Sequence, residues 1–239
     1  MALLEEFESS GNWLFKHRSY LPLLVFGLIP LALMSFTPMH DRAATQAWEI
    51  FCLCISLAGL GVRVYTVGHA PKGTSGRNTT KQVADVLNTT GMYSIVRHPL
   101  YVGNFFMWFG VSMFFHEWWF SAIIGLVYWV YYERIMFAEE AFLRRQFGDV
   151  FIKWAEVTPA FIPRFGNWKS PNTSFGLKTV LKREQSGLLG VTASFTLLDV
   201  IVDYFTDGKL GIETMWLIIF MVSLCIYLTL TGLKKAKVI

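Results

Sequence analysis

An apolar segment of this chain starts at the stretch Arg97-His98-Pro99-Leu100-Tyr101-Val102-Gly103. Proline is favoured in the first turn of a helix, where its missing N–H would have no partner, so a helix is predicted to begin at Pro99, directly after two basic side chains. The next apolar segment ends just before Glu139-Glu140. Only the polar pair His116-Glu117 separates the two segments, which predicts an antiparallel helical hairpin whose charged ends lie together.

The composition around this hairpin indicates an all-α integral membrane protein. Hydrophobic residues make up 54% of the 239 residues and charged residues 16%, which is too apolar for an ordinary soluble domain. A spanning helix needs roughly 20 apolar residues. The sequence predicts about six such helices, because the apolar runs are continuous rather than alternating. They cover residues 20–38, 50–67, 100–115, 118–137, 187–205 and 212–231.

The positions of the basic residues predict the orientation. If the N-terminus is cytosolic, Arg42 and Lys209 fall on the outer side and nearly all other Lys and Arg residues on the inner side. This asymmetry follows the positive-inside rule, so both termini are expected in the cytosol and the protein in the bacterial inner membrane. The net charge of +4 reflects this topology, and we expect no nucleic acid partner, since the basic residues are scattered.

A long polar stretch, residues 138–186, divides the chain into an expected core, residues 1–186, and a C-terminal helix pair, residues 187–239. Within that stretch Leu143, Phe147, Val150 and Trp154 recur at helical spacing. The pattern predicts one amphipathic helix at the cytosolic interface, either as a lid over a site or as simple packing on the bundle.

Polar residues inside the predicted spans are few. Cys52, Cys54 and Cys225 are interpreted as packing residues, and no metal site is expected. Asp199 and Asp203 share one helix face towards the outer side, which favours a packing or surface role, with access of a lipid as the alternative.

The hairpin geometry predicts a binding site. His98 lies 18 residues before His116 and Glu139 lies 22 after Glu117, so at ~1.5 Å per residue the charged ends return to nearly the same depth. A helix start preceded by Arg97 and His98 favours an anion. Glu139-Glu140 favours a cation, Tyr101 adds an aromatic wall, and Gly103 lets a ligand approach. These groups suit the zwitterionic end of S-adenosylmethionine, although a plain internal ion pair is the alternative.

A longer stretch then carries a family resemblance. Residues 87–103 resemble the signature of the isoprenylcysteine carboxyl methyltransferase and phospholipid methyltransferase superfamily, and residues 139–163 resemble its second half. The resemblance implies a cytosol-facing S-adenosylmethionine site and methyl transfer to a lipid or lipidated acceptor that arrives from the membrane. It assigns cofactor contacts to Tyr93, Arg97, His98, Tyr101, Gly103, Glu139 and Glu140.

A basic loop before the signature suggests the acceptor. Lys72, Arg77 and Lys81, spaced by Gly73 and Gly76, are predicted to form a nest for a lipid phosphate or another anionic headgroup. The alternative is that they only obey the positive-inside rule and touch anionic lipid.

The candidate catalytic residues are Arg97 and Glu140. An oxygen acceptor needs positioning by a cation such as Arg97, whereas an amine acceptor needs a carboxylate such as Glu140 to take its proton. Two other functions stay open. The first is an NADPH-dependent reductase of the membrane sterol type, and the second is a non-enzymatic lipid-binding or transport protein, which the scarcity of intramembrane charge disfavours.

Overall fold

The computed structural model describes residues 2–18, 21–39, 41–71 and 84–237, and within these residues the chain is helical without β-strands. The turns Leu21–Leu28, Met113–Phe115 and Phe165–Asn167 are 3-10 helices. The α-helices are α1 Leu3–His17, α2 Ile29–Ser35, α3 Arg42–Gly68, α4 Met92–Ile95, α5 Pro99–Ser112, α6 Trp118–Phe147, α7 Asp149–Val157, α8 Leu177–Asp207 and α9 Thr214–Lys235.

Three helices of the described chain, α3, α8 and α9, are long and apolar enough to cross a membrane. They match three of the six predicted spans. The segments Leu24–Ser35 and Pro99–Phe115 are apolar but shorter, the second because Pro99 starts the helix and His116 ends it in a left-handed conformation, φ 59°. Helix α6 is long, but its Trp and Tyr residues and the Glu133-Arg134 pair lower the hydropathy of its apolar stretch, and it is not among the three candidate spans of the described chain.

The amphipathic helix predicted across Leu143 to Trp154 is not continuous. Helix α6 ends at Phe147, and Gly148 adopts φ 52° before α7 begins at Asp149. Only glycine takes this backbone conformation without strain, so the apolar periodicity runs across a break. The prediction of a single helix is therefore wrong at Gly148.

Helices α3 and α5 cross in close contact, and this crossing sets the frame of the site. A Cβ atom on Gly59 would collide with the backbone oxygen of Gly103, and one on Gly110 would collide with Ser56 of α3. The Ser56 hydroxyl also donates to Met107 O at 3.0 Å. Small residues at a crossing let helix backbones approach closely, so α5 is held firmly along α3.

The C-terminal helices pack on the same frame. Phe195 of α8 stacks on Trp216 of α9, with ring centroids 5.1 Å apart, and Trp216 donates to Glu49 of α3 at 2.9 Å. Asp199 accepts the backbone N–H of Glu213 at 2.8 Å. This contact gives Asp199 a packing role between α8 and the start of α9.

Helix α1 lies along α6. A Cβ on Gly11 would collide with Arg134 O, and the Arg134 guanidinium stands 3.7 Å above the ring of Phe7. Phe15 joins a buried aromatic cluster with Tyr101, Tyr128 and Tyr132. The N-terminal helix thus covers one side of the region where α5 begins and α6 approaches its end.

Candidate active site

The hairpin of α5 and α6 brings its two charged ends together. Arg97 Nε donates to Glu140 Oε1 at 2.8 Å and Arg97 Nη2 to Glu140 Oε2 at 3.2 Å. His98 Nε2 lies 2.9 Å from Glu140 Oε1, and His98 Nδ1 lies 3.5 Å from Glu139 Oε2. The Tyr101 hydroxyl donates to Glu139 Oε1 at 2.7 Å. The cluster predicted from the hairpin is therefore present as an interlocked set of contacts.

Backbone contacts with residues 158–176, which we call the strap, fix the start of α5. Arg97 N donates to Pro159 O at 2.9 Å, and His98 N donates to Ala160 O at 3.2 Å. Further along, Arg164 N donates to Ile95 O at 2.9 Å. These bonds hold the polypeptide before Pro99 in an extended form, which aims both basic side chains at α6.

Arg97 itself is mainly a cross-link. Its Nη1 group donates to Ala155 O at 2.8 Å and to Thr158 O at 2.6 Å, in addition to the two bonds to Glu140. Four of the five guanidinium N–H bonds therefore have partners within the described chain. The ion pair that the sequence left as an alternative exists, and it joins α6 to the end of α7.

The charges in the cluster reinforce one another. Burial lowers the pKa of His98, but hydrogen bonds and charge attraction from Glu139 and Glu140 outweigh burial and raise that pKa above its ordinary value. Burial raises the pKa of Glu140, but His98 and Arg97 outweigh it and hold that pKa below its ordinary value. The geometry thus favours an imidazolium beside a carboxylate.

Aromatic side chains pack next to the charges. His98 stacks on Tyr101 with centroids 5.8 Å apart, and Tyr101 packs on Tyr132 at 4.8 Å. Tyr93 lies in α4, and its carbonyl accepts the indole N–H of Trp154 at 3.1 Å. Burial raises the pKa of Tyr93, Glu139 adds to the rise and Arg63 opposes it, so Tyr93 lies within electrostatic reach of both charged residues.

Gly103 was predicted to let a ligand approach α5, and the structure assigns that space to the protein itself. A Cβ on Gly103 would lie 2.6 Å from Arg63 Cγ and 2.7 Å from Gly59 O. The missing side chain therefore serves the helix crossing, and the contact of Gly103 with a cofactor stays a prediction.

A second polar network was missed by the sequence reasoning. Arg63 of α3 donates to Glu184 of α8 through Nε at 2.8 Å and Nη2 at 2.9 Å, and through Nη1 to Asn104 of α5 at 2.7 Å. Asn104 in turn donates to the Tyr132 hydroxyl at 3.3 Å. One signal was present in the sequence, because Arg63 lies within the predicted span 50–67, where an ionisable residue marks a functional position.

The predicted basic nest for the acceptor is not part of the described chain. Lys72, Arg77 and Lys81 lie outside the described residues. Within the described chain no three His, Cys, Asp or Glu side chains are grouped so as to hold a metal ion.

Comparison with known proteins identifies the family. The phospholipid methyltransferase family matches residues 53–150. The nickel-cobalt-cadmium resistance protein NccN of Alcaligenes xylosoxydans xylosoxydans is 32% identical over 164 residues, which cover 68% of this chain and 72% of that protein. The chain belongs to the isoprenylcysteine carboxyl methyltransferase and phospholipid methyltransferase superfamily.

Two further relatives broaden the picture. The cobalt-zinc-cadmium resistance protein CzcN of Cupriavidus metallidurans is 32% identical over 167 residues, covering 68% of this chain and 71% of that protein. Protein-S-isoprenylcysteine O-methyltransferase of Schizosaccharomyces pombe is 37% identical over 79 residues, or 33% of each chain. No solved structure matches the chain significantly. The family match includes both arginines of the two polar networks and leaves Glu184 and the C-terminal helices beyond its end.

Proposed function

We propose that this protein transfers a methyl group from S-adenosylmethionine to a lipid or lipidated acceptor, with the cofactor bound at the cytosolic face. One observation carries the proposal. Two neighbouring carboxylates, each about one quarter exposed, converge with an arginine and a histidine beside a tyrosine wall at the mouth of the hairpin. Membership of a membrane methyltransferase family supports the same chemistry.

The residues present fit the cofactor. Glu139 is the better partner for its ammonium group, because Glu140 already accepts bonds from Arg97 and His98. His98 Nδ1 lies 3.5 Å from Glu139 Oε2, which is a long contact. Once Glu139 binds the ammonium group of the cofactor, the Nδ1–H of His98 can donate to the carboxylate of the cofactor. The rings of Tyr93 and Tyr101 provide electron-rich faces suited to a sulfonium.

Arg97 and Glu140 act as positioning residues in this proposal. Together they hold His98 charged and the strap in place, because Arg97 joins Glu140 to Ala155 and Thr158. The cofactor supplies a methyl group that a sulfonium already activates. The protein must mainly align the acceptor and exclude water, and an oxygen acceptor then requires no base.

We propose an anionic headgroup, first of all a lipid phosphate, as the acceptor. The family description names phospholipids, and the loop with Lys72, Arg77 and Lys81 offers basic side chains close in sequence to the site. Methylation of a phosphate oxygen removes one negative charge and weakens attraction to divalent cations. This effect would connect the chemistry with the metal resistance for which two relatives are named.

Two measurements test the proposal on the full chain in nanodiscs. Calorimetry should detect binding of S-adenosylmethionine and of its demethylated product. Incubation with methyl-labelled S-adenosylmethionine and a total bacterial lipid extract should yield a labelled lipid that mass spectrometry identifies. Binding of NADPH without binding of S-adenosylmethionine would overturn the methyltransferase proposal in favour of a reductase, and binding of neither would favour a non-enzymatic lipid-binding protein.

A further inference from the structure

An apolar cavity of about 290 Å³ lies between α5, α6, α8 and the segment 24–35. It has roughly twice the volume of the ~150 Å³ apolar cavities that admit benzene. Its wall includes Met107 and Trp108 of α5, Ile124 of α6 and Val191 of α8. The hydroxyl of Ser194 turns away to the carbonyl of Gly190 in its own helix, at 2.8 Å. The cavity therefore offers hydrocarbon contacts and almost no hydrogen bonds.

The shape of the cavity comes from α8. Small residues recur on one face of this helix at Ser186, Gly187, Gly190 and Ser194, and Leu198 closes the far end. At ~1.5 Å per residue the lining from Ser186 to Leu198 runs about 18 Å along the helix. This length runs along α8, which is long and apolar enough to cross a membrane, and it suits a hydrocarbon chain better than a compact ligand.

One end of the cavity meets the Arg63–Glu184 pair. A Cβ on Gly187 would lie 3.6 Å from Glu184 Oε2 and 3.7 Å from Met107 Cε, and both Gly187 and Met107 line the cavity. Arg63 uses three of its five N–H bonds on Glu184 and Asn104. Two N–H bonds of a partly exposed guanidinium thus remain, among the described residues, for an oxygen at the end of the cavity.

The same pair leads to the proposed cofactor site. Asn104 connects Arg63 with the Tyr132 hydroxyl, Tyr132 packs on Tyr101, and Tyr101 donates to Glu139. Gly103, which contacts Arg63, lies five residues after His98, or about 7.5 Å deeper along α5. A ligand that extends from the cavity past Arg63 would therefore bring its polar end towards the cofactor.

We propose that this cavity binds the hydrocarbon chain of the methyl-accepting lipid, with Arg63 contacting the polar end of that lipid. The inference rests on the proposed methyl transfer and adds to it the location of the acceptor. It also gives α8 a function, because Glu184 orients Arg63 and the small face of α8 forms the cavity. Arg63 binds the acceptor in this scheme, and Glu184 is a positioning residue.

The test fills the cavity without disturbing the helix. Gly190 lines the cavity, and a Cβ on it meets no atom within 4 Å, so the side chain of Gly190→Leu has room to enter the cavity. Ser194→Leu is the second variant should the first not assemble. Gly232→Leu is the matched control, since Gly232 is an exposed helical glycine of α9 that also has no atom within 4 Å of its Cβ position.

Full chains are reconstituted in nanodiscs with phosphatidylglycerol that carries a photoreactive diazirine in one acyl chain. Wild type and Gly232→Leu should cross-link at residues 107–115 and 186–198, and Gly190→Leu should lose these cross-links. With labelled S-adenosylmethionine and the same total bacterial lipid extract, Gly190→Leu should need about tenfold more lipid for half-maximal methylation. Its affinity for S-adenosylmethionine should not change.

Each of the other outcomes overturns a specific part of the two proposals. Equal methylation by Gly190→Leu and wild type would overturn the cavity proposal and leave the methyltransferase intact. Loss of cross-links with unchanged methylation would show that the cavity holds a bilayer lipid rather than the acceptor. A wild type that cross-links but neither binds S-adenosylmethionine nor methylates any lipid would overturn the proposed function, and the cavity proposal with it.

Discussion

Two Arg–Glu pairs of this protein have the same chemistry and different surroundings. Arg97 and Glu140 lie at the end of the hairpin with side chains 16% and 24% exposed, whereas Arg63 is 21% exposed and its partner Glu184 only 5%. The first pair joins segments that are 43 residues apart in sequence. The second joins the family core to a helix 121 residues away in sequence. The burial of Glu184 sets the second pair apart, because the free energy of an uncompensated charge rises steeply with desolvation.

The largest expected effect follows from breaking the Arg63–Glu184 pair. Arg63→Ala leaves the buried Glu184 carboxylate without its partner, which should lower the free energy of unfolding by about 3–5 kcal/mol. Thermal unfolding in nanodiscs, followed by tryptophan fluorescence, measures the change. The double variant Arg63→Met, Glu184→Leu is the control, since removal of both charges should restore most of the stability. A loss smaller than that of Arg97→Ala would contradict the contrast between the pairs.

The hairpin pair should respond in ligand affinity more than in stability. His98→Ala removes a charged group that holds both glutamates, so the affinity for S-adenosylmethionine should fall by about 2 kcal/mol, while the bundle stays assembled on apolar packing. Calorimetry measures the affinity. Arg145→Ala, which breaks a more exposed bridge to Glu8, is the control with unchanged affinity. Wild-type affinity in His98→Ala would make the cluster purely structural.

The pH dependence separates the pairs more finely, because only the hairpin cluster contains a histidine. The raised pKa of His98 means that its contribution to stability is complete below its ordinary pKa of 6.5 and is lost as the pH rises through the raised value. The lowered pKa of Glu140 gives a contribution complete above 4.5 and lost in acid.

Thermal unfolding should therefore show the largest contribution of this cluster between pH 4.5 and 6.5. In His98→Ala the decline on the alkaline side of that window should disappear. A difference between wild type and variant that stays constant from pH 6 to 9 would rule out titration of His98 as its source.

The smallest effect is expected at a third pair, which lies on the surface. Arg42 donates to Glu213 at 2.8 Å with its own side chain 80% exposed. Exposed pairs contribute about 0–1 kcal/mol to stability, so Arg42→Ala should lower the free energy of unfolding by less than about 1 kcal/mol. The same fluorescence measurement tests it. A loss comparable to that of Arg63→Ala would mean that exposure does not rank these pairs.

The contrast also explains what the sequence could predict. Pro99, the short break at His116-Glu117 and the Glu139-Glu140 pair are local signals, and the hairpin they predict brings Arg97 and His98 against α6 as expected. The Arg63–Glu184 pair depends on how α8 docks on α3, which no local pattern encodes. The break at Gly148 escaped because apolar spacing continues across it, although glycine was itself the available signal.

The functional predictions divide in the same way. The superfamily assignment, which the resemblance of residues 87–103 suggested, is confirmed by the family match. The roles of the individual site residues remain predictions, and the acceptor nest falls outside the described chain. Gly103 shows why residue roles are harder to predict than contacts, since a small residue admits a ligand or a neighbouring helix equally well, and here it admits α3.

The close crossing of α3 and α5 has a consequence for how lipids enter the protein from the bilayer. Gly59, Gly103 and Gly110 bring the two backbones into direct contact. A lipid could therefore pass between these helices only if the helices separated. Where segment 24–35 faces α8 across the cavity, the described residues make no comparably close contact between backbones. A lipid that reaches the cavity is therefore expected to enter between segment 24–35 and α8 rather than between α3 and α5.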